Sequence, residues 1–304
     1  MGTADLIFHT LDVFTDQAFS GNPLAVVLGA DGLSAAQMQT IAREFNLSET
    51  IFVQAPRDPA NSARVRIFFP TAEIPFAGHP TIGCAILLSG LLDDGAANCA
   101  ELTLEEEAGL VPVCVSRDGN AVTAEFTAPV LPFAAPGGAS DDDVAQALGL
   151  APAEIGCSGH GAPAHWQGGP SYLYVPVADA GALARARPTE PQWSCVMAAW
   201  GADGAWLYTP DGAAGYRARM FSPSAGIPED PATGSAAAIF AAELLCAGRL
   251  GEGENRVSIT QGVEMGRPSQ IALRIELQDG ALTAVHIRGS AVPVSSGRIR
   301  APDA

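Results

Sequence analysis

The sequence predicts an α+β protein of two similar domains, each a β-barrel wrapped around a central α-helix. Residues 64–75 return 153 positions later as residues 217–228, and seven of the 12 aligned positions are identical. A glycine, a polar residue and a long apolar run follow both copies, and short strand-like segments surround them. Because the offset is about half of the chain, the repeat indicates one domain present twice.

The composition is that of a globular protein with two cores. A chain of 304 residues exceeds the usual size of a single hydrophobic core, and 48% hydrophobic residues can fill two. The net charge is −17, and the chain contains no lysine. Nucleic acids and anionic membranes bind clustered cations, so the composition predicts neither as a partner.

Cysteine usage and the chain start bear on the cellular compartment. The six cysteines show no Cys-x-x-Cys spacing, so neither a zinc site nor a redox motif is predicted. The apolar start lacks a preceding basic segment, which argues against a secretory signal. The longest apolar stretch, residues 82–92, is too short to span a bilayer. We therefore expect a cytoplasmic protein.

The first half reads as strands with two helices. β-branched, apolar segments predict strands at residues 6–14, 23–28, 50–54 and 63–69. Ser34 is predicted to cap a helix. A second helix is predicted from about Thr81 to Leu91, preceded by Pro80, which is tolerated in a first turn. Short strands are predicted through residues 100–126, and in both halves many short antiparallel strands are expected around one apolar helix.

The second half repeats this plan. The proline- and glycine-rich residues 128–140 are predicted to connect domains 1–128 and 129–304, with residues 290–304 able to pack back on the first. Ser140 or Asp141 is predicted to cap the next helix. Strands follow at residues 171–177, 204–210 and 216–221, then a helix at 235–250 with small residues all round and a strand-rich tail.

Two loop–helix junctions are the strongest local signal for chemistry. Gly78-His79 and Gly234-Ser235 each place a glycine and a polar residue at a predicted helix start. Unpaired backbone N–H groups and the helix dipole favour an anion there, so the pair predicts a site for a substrate carboxylate. Two ordinary helix caps would give the same local pattern. The duplication makes this second interpretation less favoured.

Three residues beside these junctions are candidates for acid–base chemistry. Glu49 precedes an apolar strand and is a candidate general base, or a solvated loop residue; its equivalent in the second copy falls near Gly204. Asp230 precedes the second helix as a dipole partner or an acid–base group. His79 is a donor to substrate or a capping residue.

Cofactor signatures are weak in this sequence. It contains no P-loop, no G-x-G-x-x-G after a strand and no G-x-S-x-G, so no nucleotide cofactor is predicted. The segment containing His160 and His165 is a weak metal candidate, and no metal is predicted.

At these residues the chain resembles the phenazine-biosynthesis PhzF family of the diaminopimelate-epimerase-like superfamily. The matching segments are "DVFTDQAFSGNPLAVVL", "NLSET-FV", "RIFFPTAEIPFAGHPTIG", "SPSAGIPEDPATGSAA" and "TQGVEMGRPSQI". They cover the chain nearly from end to end. The resemblance implies two similar β-barrels, each around a central helix, with the active site in the cleft between the domains.

The resemblance also implies roles for individual residues. Glu49 matches the catalytic glutamate that takes a proton from one carbon and returns it to another. His79 and Asp230 match residues that hydrogen-bond around the reacting part of the ligand. The helix-start positions that hold the carboxylate and neighbouring polar groups correspond to Gly78, Gly234 and Ser235, and Ser48 is expected to line the pocket. Asn22 is expected to form a turn.

The epimerase relatives use two cysteines, one at each loop–helix junction. The corresponding positions here are Ala77 and Asp230, while Cys84 and Cys246 lie too far along the helices. The resemblance, with this departure, therefore implies a cofactor-independent isomerase that moves a proton within a small carboxylate substrate. Two alternatives stay open: an epimerase or racemase using Glu49 and Asp230, and a non-catalytic small-acid binding protein. Homodimers are common in the family, and one is expected here.

Overall fold

The computed structural model describes residues 5–92, 99–119 and 121–303. Asn120, within a predicted strand region, lies outside these residues. The chain divides into two compact units, one formed by Met1–Pro129 with Arg288–Ala304 and the other by Val130–Ile287. Each unit is a β-sheet structure containing one apolar helix, which confirms the predicted α+β class.

In the first unit, eight strands of the described residues form a closed ring. Consecutive pairings run β1–β2–β3–β4–β6–β7–β8–β17 and return from β17 to β1. The short β5 pairs with β4. The strands are β1 (Asp5–Val13), β2 (Asn22–Leu28), β3 (Glu49–Gln54), β4 (Ala63–Phe68), β5 (Glu73–Ile74), β6 (Cys99–Glu106), β7 (Gly109–Asp118), β8 (Ala121–Thr127) and the latter part of β17 (Ala281–Arg300).

Helix α2 (Gly78–Leu92) lies inside this ring and contacts β1, β2, β3, β6, β7 and β8. A Cβ at Gly83 would lie 2.6 Å from Leu24 Cδ2 and 2.8 Å from Val13 Cγ2, so the glycine permits close packing. The predicted start at Thr81 was wrong by three residues. Pro80 is the third residue of the helix, where its missing N–H has no intrahelical partner to lose. Helix α1 (Ala35–Phe45) begins at the predicted Ser34 cap.

The second unit has the same order of elements around its own helix. Its pairings run β9–β10–β11–β12–β13–β15–β16–β17, and β14 pairs with β13. The strands are β9 (Phe133–Ala134), β10 (Ala164–Gln167), β11 (Ser171–Pro176), β12 (Gly204–Pro210), β13 (Gly215–Ser222), β14 (Ile227–Asp230), β15 (Gly253–Gln261), β16 (Ser269–Gln278) and the first part of β17.

Four helices belong to the second unit: α3 (Asp141–Ala147), α4 (Ala180–Arg185), α5 (Gln192–Trp200) and α6 (Gly234–Cys246). Ser140 caps α3, as one of the two predicted residues. Helices α4 and α5 were not predicted, since six and nine residues give too little periodicity to read. Helix α6 ends four residues before the predicted Leu250.

The small residues of α6 let strands pack against it on every side. Ten of its 13 residues are buried. The ring of Phe240 lies 4.7 Å, centroid to centroid, from both Trp206 and Tyr208, and 4.9 Å from Tyr216. The helix is therefore enclosed by its sheet, as the sequence pattern predicted.

The duplication extends to the pairing pattern of the strands. β2–β3 and β11–β12 are parallel, as are β4–β6 and β13–β15. The expectation of antiparallel strands was therefore wrong for these four pairs. Helices inserted between these strands carry the chain back across the sheet, which is what a parallel pairing requires. Register matches as well: Thr50 lies opposite Phe68, and Ala205 lies opposite Phe221.

The repeated arginines build the same structural contact twice. Arg66 makes two hydrogen bonds of 2.6 Å to Glu73, and Arg219 makes two of 2.8 and 2.9 Å to Glu229. Each guanidinium also lies over the ring of the phenylalanine two residues later. Arg219 donates in addition to three carbonyls at the end of α4, those of Leu183, Ala184 and Ala186.

Arg219→Lys is expected to lower the free energy of unfolding by about 2 kcal/mol or more, because lysine cannot serve both the carboxylate and the carbonyls. Arg66→Lys, at the repeat-equivalent position, is the matched control. It should cost at most about 1 kcal/mol, since that ion pair is partly exposed. Urea unfolding of both variants measures the difference, and equal losses would contradict this explanation.

Candidate active site

Glu49 is the first residue of β3 and is buried. Helix α1 ends at Asn46, whose left-handed backbone (φ 51°) turns the chain, and Ser48 follows half-buried. β3 then pairs with β2 in parallel, so that Glu49 lies opposite Leu24. This pairing brings the glutamate close to the start of β2, where Asn22 is fully buried.

His79, the second residue of α2, joins Glu49 and Asn22 into one cluster. Its Nε2 lies 3.3 Å from Glu49 Oε2, and its Nδ1 lies 3.2 Å from Asn22 Nδ2. With the Asn22 amide donating to Nδ1, the imidazole proton is on Nε2. Burial lowers the pKa of His79 to about 3, so the ring is neutral at neutral pH. His79 is therefore a hydrogen-bond donor rather than a cation.

Asn22 is a site residue that the sequence did not identify. It was expected to form a turn, yet its side chain holds His79 in one tautomer. The "SGNP" pattern is a strong turn signal, so Asn22 was assigned to the turn. In the structure Asn22 is the first residue of the buried strand β2.

Asp230 ends β14 in the second unit and is buried. Its Oδ2 accepts a 2.5 Å hydrogen bond from the hydroxyl of Thr233. Gly234 and Ser235 are the first two residues of α6, and Ser235 Oγ lies 3.4 Å from the Tyr172 hydroxyl. Because the Thr233 hydroxyl is directed to Asp230, it makes no capping hydrogen bond to the start of α6.

The predicted residues thus fall into two clusters. Ser48, Glu49, Gly78 and His79 come together in the first unit, and Asp230, Gly234 and Ser235 come together in the second. The two histidines of the weak metal candidate contact different groups. His165 contacts Pro136 O and Ser171, whereas His160 contacts Tyr208. Among the described residues, no group of three or more His, Cys, Asp or Glu side chains could hold a metal ion.

Comparison with known proteins places the chain in a family. A family model described as phenazine biosynthesis-like protein matches residues 11–297. The chain belongs to this phenazine biosynthesis-like, or PhzF, family. A trans-2,3-dihydro-3-hydroxyanthranilate isomerase from Pseudomonas chlororaphis is 36% identical over 95% of this chain and 97% of its own length. An uncharacterized isomerase from Mesorhizobium japonicum is 42% identical over 95% and 96%.

A solved structure agrees with this assignment. The PhzF-family protein of Bacillus anthracis superposes with a TM-score of 0.85 at 25% identity, covering 97% of this chain and 99% of that one. The PhzF-family relatives at 36% and 42% identity are named isomerases, so this chain is an enzyme of the isomerase class. No helix in the described ranges of the chain is long and apolar enough to cross a membrane.

The PhzF fold here lacks thiols at the two helix starts. Cys84 lies in the interior of α2, fully buried, and burial raises the pKa of its thiol. Cys246 is the last residue of α6. Ala77 and Asp230 occupy the two junctions, so neither junction carries a thiol.

One further buried carboxyl lies beside α2. Glu106 Oε1 is 2.7 Å from the hydroxyl of Thr81, and that hydroxyl also lies 2.7 Å from Ala77 O. Burial raises the pKa of Glu106 to about 8, so the carboxyl is largely protonated at neutral pH. Cys84 shares this environment, and its thiol pKa is raised by burial and further by Glu106.

Glu106→Gln is expected to make the protein more stable at high pH. The raised pKa means that the folded state holds more protons than the unfolded state between about pH 4.5 and 8, so wild-type stability falls as the pH rises through this range. The glutamine amide does not ionise, so the variant does not lose stability in this way. By pH 8 its free energy of unfolding should exceed that of the wild type by roughly 2–4 kcal/mol. Urea unfolding at pH 5 and pH 8 measures the gain, and a pH-independent difference would contradict it.

Proposed function

We propose that this protein is a cofactor-independent PhzF-type isomerase that moves a proton between two carbons of a small carboxylate substrate. The observation that carries the proposal is the buried cluster of Glu49, His79 and Asn22. A buried carboxylate beside a neutral imidazole N–H is a suitable base for a carbon acid, since a neutral ring does not lower its basicity as an imidazolium would.

Glu49 takes the proton from the first carbon and returns it to the second on the same face of the substrate. The His79 Nε2–H donates a hydrogen bond, and because its ring is neutral it polarises a substrate oxygen without giving up a proton. Asn22 keeps that proton on Nε2. Asp230 accepts a hydrogen bond from a polar group of the substrate and fixes the orientation of the reacting carbons.

The helix starts bind the substrate carboxylate. The backbone N–H groups at Gly78 and at Gly234 and Ser235 belong to the first turns of α2 and α6, where the helix dipole favours negative charge. Ser48 lines the site beside Glu49. Exclusion of water from the buried Glu49 on substrate binding favours uptake of the proton by this carboxylate.

Proton NMR in D₂O with trans-2,3-dihydro-3-hydroxyanthranilate, the substrate named for the Pseudomonas chlororaphis relative, tests the proposal. Conversion with deuterium incorporated at a second carbon supports isomerisation. Absence of turnover by folded protein removes this substrate from the proposal, and a library of small carboxylates is then screened by the same exchange assay.

A second candidate function is epimerisation, favoured by the presence of a second buried carboxylate at Asp230. Glu49 and Asp230 would then act on opposite faces of one carbon. Deuterium exchange confined to a single stereocentre, with inversion and no movement of a double bond, distinguishes it from isomerisation. A protein that binds carboxylates equally well before and after Glu49→Gln and exchanges no deuterium would be a binding protein.

The assembly and location are proposed from the family resemblance alone. We propose a cytoplasmic homodimer whose two domains correspond to the duplicated halves of the chain. Light scattering of the purified protein measures the mass, and a monomer would contradict the dimer.

A further inference from the structure

Gln261 is a fully buried polar residue at the end of β15, next to the Asp230 cluster. Its Nε2 donates to Asp230 O at 2.8 Å and to Thr233 Oγ1 at 3.0 Å. Its Oε1 accepts from Trp206 Nε1 at 3.2 Å and from Thr233 N at 3.4 Å. Both donors and both acceptor positions of the amide are therefore in use.

The orientation of this amide is fixed by its neighbours. The indole N–H of Trp206 can only donate, so the oxygen of the Gln261 amide has to face it. The amide nitrogen must then face Asp230 O, which can only accept, and the Thr233 hydroxyl. In a flipped amide, the nitrogen would face the N–H groups of Trp206 and Thr233, and the oxygen would face Asp230 O. Neither arrangement allows a hydrogen bond.

This orientation decides what the Thr233 hydroxyl does. Its oxygen accepts from Gln261, so its single proton is donated to Asp230 Oδ2, at 2.5 Å. A hydroxyl that donates to a carboxylate stabilises the ionised form and holds one oxygen in place. The chain of donors thus runs from Trp206 through Gln261 and Thr233 to Asp230.

The first unit carries a carboxyl at the equivalent place. The repeated residues Arg64 and Arg217 lie opposite Glu105 and Thr260 in their parallel pairs, so Glu106 corresponds to Gln261. Glu106 also contacts a threonine hydroxyl near its helix start. Both units therefore use the residue that ends this strand to support the beginning of the central helix.

We propose that Gln261 is a positioning residue for Asp230, acting through the Thr233 hydroxyl to hold the carboxylate ionised and in a single orientation. This inference rests on the proposed function, in which Asp230 contacts the substrate. Gln261 itself touches no substrate.

Three variants test the proposal: Gln261→Met, Thr233→Val and Thr233→Ser. Gln261→Met and Thr233→Val should each lower kcat by roughly 10- to 100-fold, because the Asp230 side chain is misplaced. The change in KM should be smaller, because the helix starts that bind the substrate carboxylate are unchanged. Thr233→Ser, which keeps the hydroxyl, should restore most of the rate. Since Thr233 makes no capping hydrogen bond, the loss in Thr233→Val is not a helix-cap effect.

A double-mutant cycle tests whether Gln261 acts through Thr233. In the Thr233→Val background, Gln261→Met should cost little further activity. Additive losses, or full activity in Thr233→Val, would overturn the proposal. Circular dichroism and urea unfolding identify a Gln261→Met protein that fails to fold, in which case the two threonine variants decide.

A readout without substrate separates this inference from the proposed function. In carbon-13 NMR of the full-length protein, the Asp230 carboxyl, assigned by comparison with Asp230→Asn, should titrate at higher pH in Thr233→Val and Gln261→Met than in wild type. An unchanged titration in both variants overturns the positioning role even if the enzyme is active. A wild-type protein that turns over no carboxylate overturns the proposed function but leaves this measurement meaningful.

Discussion

Replacing Glu49 by glutamine is expected to lower kcat by about 10²- to 10⁴-fold, the range typical of losing a general acid–base group. The amide has nearly the shape of the carboxylate, so the substitution changes the buried side chain little. It cannot take a proton from carbon. In the proposed mechanism the substrate carboxylate binds at the helix starts, so KM should change much less than kcat. The rate and the deuterium content of the product, both from proton NMR in D₂O, measure the effect.

Glu44→Gln is the matched control for this variant. Glu44 is exposed near the end of α1 in the same unit, and it lies outside both clusters. The same chemical change there should leave the rate unaltered. If Glu49→Gln is as active as Glu44→Gln, Glu49 is not the base and the proposed mechanism fails.

The fold was predictable because its signals are local and repeated. The recurrence of residues 64–75 predicted the duplication, and the structure explains it, since Arg66 and Arg219 make the same contact with a glutamate and a phenylalanine. The glutamates themselves, Glu73 and Glu229, do not align in the repeat. Both units thus contain the arginine–glutamate pair, but the glutamate comes from a different position of the repeat in each.

The parallel pairings were missed because strand direction depends on the segment that joins two strands, not on the strands themselves. Helices α4 and α5 between β11 and β12 were too short to show a period, so the crossover was not recognised. Sequence reasoning is weakest where a structural consequence depends on connections of this kind.

The site was half predictable for a related reason. Glu49, His79 and Asp230 are polar residues at element boundaries in a matching motif. Asn22 and Gln261 act only through the groups they orient, and a single polar residue at the edge of an apolar strand gives no sign of which side chain it will meet. Their roles come from the pairing of strands distant in sequence, β2 with β3 and β13 with β15.

Gly262→Ala is expected to lower the free energy of unfolding by about 3 kcal/mol or more, a large loss for the addition of one methyl group. Gly262 has φ +76°, and a Cβ there would lie 2.5 Å from Arg267 O and 2.6 Å from Pro231 O. Both neighbours are backbone atoms, which cannot rotate away as a side chain can. Because Pro231 follows Asp230 directly, displacing it should also disturb the carboxylate and lower kcat. Urea unfolding and the NMR rate assay measure the two effects.

Gly266→Ala separates the two causes of this loss. Gly266 lies four residues later with a similar backbone conformation, φ +70°, and a Cβ there would meet no atom within 4 Å. It should therefore show only the cost of a left-handed alanine, about 1 kcal/mol, with kcat unchanged. Equal stability losses in the two variants would mean that backbone conformation alone accounts for Gly262. A larger loss for Gly262→Ala, with a fall in kcat, would mean that the end of β15 supports Asp230 through close backbone packing as well as through the Gln261 amide.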